Sequence, residues 1–210
     1  MCFSIIHPTR REIDNQYYFI KTMIESYPSF MKDWLSREDE KYKMIARENA
    51  EGDSDVYHII YNNLLYGKDV FYETNNYFYQ AVFLAGYSYY ESWLNKIGRS
   101  NKISNENIGV RELKENCGFD LCNEIQNKVN YLFKTVKPFR NLIAHNNNGT
   151  LREEQKEVLN DIRQKYEHID ECDGIVTFND DEFILDVLKM EHEILLEICN
   201  KLGYNTFVTK

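Results

Sequence analysis

A chain of 210 residues, 43% hydrophobic and 28% charged, carries enough apolar side chain for one domain, or a domain with an appendage, and falls outside the disordered class. Its formal net charge of −9 excludes a basic coat for non-specific nucleic-acid binding, so any RNA contact has to come from a few placed Arg and Lys residues. The cysteines, Cys2, Cys117, Cys122, Cys172 and Cys199, are odd in number and form no Cys-x-x-Cys pair; no apolar run approaches a membrane span and no apolar leader lies before Arg11, so a soluble cytoplasmic protein with no membrane partner is expected.

With prolines only at Pro8, Pro28 and Pro138, long helices are permitted. The first is expected from about Ile13 to Met44, with Pro28 as a point of bending. After the break at Glu51-Gly52-Asp53-Ser54, Asp53 or Ser54 caps a short helix through Leu65, ended by Gly67. The strongest helical pattern runs from about Phe71 to Ile97. Phe78, Val82, Ala85, Tyr89 and Trp93 form one arc and Tyr77, Leu84, Tyr87, Tyr90 and Leu94 an adjoining one, which predicts a central helix stopped by Gly98.

A further helix is predicted from about Asp120 to His145, with Leu132, Val136, Phe139 and Ile143 as its core stripe. Pro138 falls inside it, where it kinks the helix or restarts it at a first-turn position. Another helix spans about Leu151 to His168. The stretch from Gly174 to Phe183 reads as a small strand and turn, and Asn179 or Asp180 caps a last helix to about Lys201, with Gly203 near its stop. The fold class is all-α: a helical bundle with little or no sheet.

The motif that carries chemistry is Arg140-Asn141-Leu142-Ile143-Ala144-His145, followed by Asn146-Asn147-Asn148-Gly149. At about 100° per residue, Arg140, Asn141 and His145 share one arc of the helix and Leu142 and Ile143 the other. Asn141 and His145 stand one turn apart, and Ala144 leaves room between the polar groups. An arginine holds a phosphate with a planar fork of donors, and a histidine moves a proton near neutral pH. The helix C-terminus favours a protonated imidazole. Together these can cut RNA without a metal: His145 as acid or base, Arg140 neutralising the phosphate, Asn141 orienting either. The competing reading is structural, because the dipole alone favours Arg and His at a helix end and Asn-Asn-Gly is an ordinary stop.

Arg140-Asn141-x-x-x-His145 resembles the signature of the HEPN superfamily, an all-helical group of prokaryotic defence and toxin systems. The run Phe83 to Leu94 resembles the long helix that precedes the motif helix in that group. Asp173 to Val176 with Asp181 to Ile184 resembles the hairpin-like lead into a closing helix in some members. The resemblance implies a HEPN-like core over about 71–203, an N-terminal helical extension over about 1–70, and one short hairpin or strand near 175–184. It implies a homodimer that brings two Arg–His pairs into one cleft, cuts RNA with no cofactor and leaves a 2′,3′-cyclic phosphate. Arg140 and His145 are then catalytic, with Asn141 supporting. An antitoxin or nucleotidyltransferase is the accompanying partner. Some members instead serve as binding scaffolds for RNA, a nucleotide or a protein. One toxin branch has a tyrosine two residues after the histidine; this chain has Asn147, so control by modification of that tyrosine is not carried over.

Glu91 lies on a largely apolar helix and, if buried, needs a partner, for which Arg140 or His145 is the candidate; otherwise it sits at an exposed edge. Lys134, Lys137 and Arg152 flank the motif as the basic rim of an RNA cleft or as solvated helix faces. Tyr77, Tyr79, Tyr87, Tyr89 and Tyr90 stack bases or fill a core or dimer interface. His192 has no second histidine at helical spacing, so no metal site is expected, and His7, His58 and His168 read as solvated or helix-end residues.

Overall fold

The computed structural model describes residues 3–5, 7–65, 69–145, 150–172, 174–204 and 207–209. Gly67, Asn146 to Gly149, Asp173 and Cys2 lie outside them. Helix α1 (Pro8–Asn49) starts where His7 accepts the Thr9 backbone N–H and Pro8 supplies a pre-set φ in the first turn. It runs unbroken through Pro28, longer at both ends than the sequence pattern indicates. Its N-terminal half is anchored by Ile13, Tyr17 and Ile24, all buried in the common core. Its C-terminal half pairs with α2 (Ser54–Leu65). Of the two candidate caps for α2, Asp53 is used: its Oδ1 accepts from the N–H groups of Asp55 and Val56 at 2.8 and 3.1 Å.

Helix α3 (Asp69–Ser100) buries Val82, Phe83, Tyr87, Tyr90, Trp93, Leu94 and Ile97 and packs against the last helix. Gly98 does not stop it. The helix continues to Ser100, and the chain then folds back so that Ile108 lies on Gly98. A Cβ at position 98 would stand 2.4 Å from the Ile108 Cδ1, so glycine is there for close approach rather than for termination. A short helix that the sequence pattern did not announce follows, α4 (Val110–Cys117), fastened at its start by the Glu112 carboxylate on the Gly109 N–H at 3.0 Å.

The motif-bearing segment is one continuous rod in three parts: α5 (Asn123–Tyr131), a π turn (Leu132–Val136), and α6 (Lys137–His145). Pro138 has no N–H to complete an i→i−4 ladder. The rod absorbs this by widening just before it, with the Lys137 N–H bonded to the Leu132 carbonyl, and Pro138 falls in the first turn of the renewed α-helix. Helix α7 (Glu153–Arg163) is shorter than its sequence pattern. Two small antiparallel sheets complete the fold. Strands β2 (Ile169–Cys172) and β3 (Ile175–Phe178) form the hairpin, Ile169 opposite Phe178, and β1 (Phe3–Ile5) pairs with β4 (Phe207–Thr209). The second pairing joins segments about 200 residues apart, beyond any local pattern. Helix α8 (Glu182–Lys201) is capped by Asp180 through the Glu182 N–H at 3.1 Å, and Gly203 at φ 75° turns the chain after it.

The core that positions the site is aromatic. Phe83 of α3, Phe139 of α6, Phe178 of β3 and Phe183 of α8 meet with ring centroids 5.3–6.3 Å apart, several of them edge to face. Gln80 and Asn76 of α3 also donate to the Val176 carbonyl, docking the hairpin on the same helix. Each fully buried phenylalanine contributes about 1.5–3 kcal/mol over an exposed one. The motif helix is thereby clamped through Phe139 and Leu142 while its polar arc stays outward.

Candidate functional site

Arg140 reaches from α6 across to α3. Its Nη2 donates to the Glu91 Oε2 at 2.9 Å and its Nη1 to the Asn141 Oδ1 at 2.9 Å. The guanidinium carbon lies 5.3 Å from the centre of the Tyr87 ring, close enough for a cation–π contact. Glu91 and Arg140 are 38% and 24% exposed, so the pair sits at the rim of the core rather than inside it. Two of the five guanidinium N–H donors serve these bonds, which leaves donors for a ligand. The arginine is thus held in one orientation before any ligand arrives.

Behind this pair lies a second carboxylate. Glu191 of α8 is fully buried, and neither of its oxygens has a hydrogen-bond partner among the described residues. Its Oε2 lies 3.8 Å from where a Cβ on Gly86 would stand. Burial first, and the Glu91 charge second, push its carboxyl well above the ordinary range, which favours the protonated form in the fold. Burial likewise raises the Tyr87 phenol, with Glu91 adding to it. The two acids divide: Glu91 bonds Arg140, and Glu191 has no partner among the described residues.

The arginine faces a cleft of about 1,210 Å³ between α3, α4 and the α5–α6 rod. Lys137 and the exposed ring of Phe133 share this cleft, with the Lys137 Nζ 5.6 Å from the ring centre. His145 does not line it. It is the last residue of α6, exposed, and makes no hydrogen bond or ion pair with a described residue. Asn141 spends its oxygen on Arg140 rather than on the imidazole. Lys134 is exposed on the π turn and Arg152 starts α7, its N–H bonded to the Gln155 Oε1; neither lines the cleft. Of the flanking cations read from sequence, Lys137 alone joins Arg140. Arg111 and Lys114, which do line it, went unread because α4 was not seen as an element; both are already paired, with Glu115 at 2.8 Å and Asp120 at 3.5 Å.

The tyrosine stripe divides as well. Tyr79, Tyr87, Tyr89 and Tyr90 are buried, and Tyr77 is exposed. His192 is buried in a tie between α8 and α1: its Nε2 is 3.1 Å from Asp14, its Nδ1 3.3 Å from the Tyr89 hydroxyl, and its ring is stacked on Tyr17 at 3.9 Å. Among the described residues no group of three or more His, Cys, Asp or Glu side chains is arranged to hold a metal ion, and no helix is long and apolar enough to cross a membrane. No family model, no curated protein and no solved structure matches this chain.

Proposed function

We propose that this chain is a metal-independent endoribonuclease of HEPN type, working as a homodimer in a toxin or phage-defence setting. The observation that carries the reading is Arg140, fixed by Glu91 and Asn141 on the same helix that presents His145 at its C-terminal end. In the reaction a ribose 2′-hydroxyl attacks the adjacent phosphorus. The O2′–P bond forms, the P–O5′ bond breaks, a base takes the 2′ proton and an acid gives one to the O5′ leaving oxygen. Products are a 2′,3′-cyclic phosphate and a 5′-hydroxyl. His145 fills one proton-transfer role, its counterpart in the second copy the other, and Arg140 neutralises the non-bridging oxygens. Arg140 turns to Glu91 at the cleft and His145 does not line that cleft, so in this reading the second copy supplies the histidine that meets Arg140 on one phosphate.

Purified chain incubated with mixed RNA in chelator is expected to yield cyclic-phosphate ends. His145→Ala and Arg140→Ala should each lower the rate by at least about 100-fold. Cleavage that survives both substitutions would sink the mechanism. A second reading, a non-catalytic scaffold for RNA or a nucleotide, is favoured by the cleft itself, because Arg140, Lys137 and Phe133 line it and His145 does not. Its mark is binding weakened by Arg140→Ala with no cleavage by the unaltered chain.

A further inference from the structure

The wall of the cleft carries two hydroxyl groups that the fold does not use. Tyr87 and Tyr90 of α3 are 4% and 5% exposed, and both line the cleft that Arg140 faces. Neither hydroxyl has a hydrogen-bond partner among the described residues, and neither is sealed from solvent, so both open on the cleft. Tyr89 and Tyr166, buried as deeply, bond to the protein instead: the Tyr89 hydroxyl donates to the Ile13 carbonyl at 3.2 Å and the Tyr166 hydroxyl to Asp186 at 2.8 Å. A polar group nine-tenths buried and unbonded is an exception that needs a cause. The hydroxyls of Tyr17 and Tyr79 also make no hydrogen bond with a described residue, but neither residue lines the cleft.

The place of the pair decides what it can bind. Three, four and seven residues on from Tyr87 stand Tyr90, Glu91 and Leu94, so the four share one face of α3, and all of them line the cleft. The Tyr87 and Tyr90 ring centres are 6.1 Å apart, and the Arg140 guanidinium carbon lies 5.3 Å from the first of them. Burial first, and acidic neighbours second, raise both phenols above the ordinary range, so each hydroxyl keeps its proton and can donate. Two such donors beside an arginine suit an oxyanion. Glu91 already offsets part of the Arg140 charge, so an anion here gains from donors that bring no charge of their own. Leu94 and Leu132 line the same cleft, and the low local dielectric beside them strengthens bonds of this kind.

We infer that Tyr87 and Tyr90 complete a phosphate-binding site in the cleft, their hydroxyls donating to the RNA phosphodiester that Arg140 holds. The inference rests on the RNA reading above and adds two binding residues to it. Its test is a titration of fluorescent single-stranded RNA on the His145→Ala chain. Tyr87→Phe and Tyr90→Phe should each weaken binding by about tenfold or more, the scale of one hydrogen bond to a charged group. Urea unfolding should show no loss of stability, because no protein hydrogen bond is removed. The slope of log affinity against log salt should stay as it is, since a neutral hydroxyl displaces no counterion. In the Arg140→Ala background Tyr87→Phe should cost markedly less, as two donors to one phosphate are coupled. Inorganic phosphate, added at constant ionic strength, should displace the labelled RNA only at far higher concentration than unlabelled RNA does; equal potency would assign the site to the free ion and overturn the assignment to RNA. If Arg140→Ala leaves RNA binding unchanged, RNA does not use the cleft, and the proposed function and this inference fall together. If Arg140→Ala weakens binding and neither phenylalanine does, or if affinity and stability are lost together, this inference alone falls.

Discussion

Two glutamates of identical chemistry behave differently because of what surrounds them. Glu91 keeps partial access to water and holds a cation; Glu191 has neither. A carboxyl that is neutral in the fold and ionised in the unfolded chain makes stability depend on pH, and the sign follows from the raised folded pKa. Below the ordinary carboxyl value near 4.5 both states are protonated, and the contribution is complete. As pH rises, the unfolded chain gains from ionising while the fold does not, and stability falls until the folded pKa is passed. Glu191→Gln keeps the shape and removes the proton. Whatever constant offset the amide brings, the stability of this variant relative to the native chain is expected to rise as pH climbs above about 4.5 in urea unfolding. A difference that stays flat across that range would mean the carboxyl is not held neutral. The same contrast bears on Arg140: it is oriented by a charged neighbour at the rim, not by the buried acid behind it.

At the scale of elements, the α3–α4 junction depends on one missing Cβ. Gly98→Ala forces a methyl into the Ile108 side chain, and the expected cost is about 1–3 kcal/mol in urea unfolding. If the close approach is the cause, the same change made beside Ile108→Ala should cost markedly less, and equal costs in both backgrounds would refute it. The junction also shows what sequence pattern can convey. The long amphipathic stretches in α1, α3, α5–α6 and α8 were legible because each repeats its apolar period over several turns. Gly98 was misread as a stop because a glycine needed for packing and one needed for termination look alike in a string. Helix α4 was missed because eight residues hold too few apolar positions to announce a face, although Val110, Leu113 and Cys117 and the Gly109–Glu112 cap were there to find. At the site, the need of Glu91 for a basic partner was legible from its apolar setting, with Arg140 as one of two candidates. That Asn141 serves Arg140 rather than His145, and that α4 closes the cleft, depends on contacts between elements that no local period encodes.

For the whole molecule, the net charge of −9 limits how RNA can be held. Without a broad basic face, the proposed contact rests on the two cleft cations of the motif helix, Arg140 and Lys137. Arg140 has Glu91 as its single ion-pair partner, and Lys137 has no carboxylate partner among the described residues. Each phosphate neutralised on single-stranded RNA contributes about 0.7 to the slope of log affinity against log salt. Two contacts give a slope near 1.4, so raising salt from about 50 to 200 mM should weaken binding by only about sevenfold. Lys137→Ala should lower the slope by about 0.7 and weaken all RNA sequences alike, since an ammonium on a phosphate reads no base. Lys134→Ala and Arg152→Ala, at residues outside the cleft, should leave the slope unchanged. A titration of fluorescent RNA against the catalytically silenced His145→Ala chain measures all four. A steep slope, or one lowered by Lys134→Ala or Arg152→Ala, would place the RNA on a different face and detach Arg140 from the contact proposed for it.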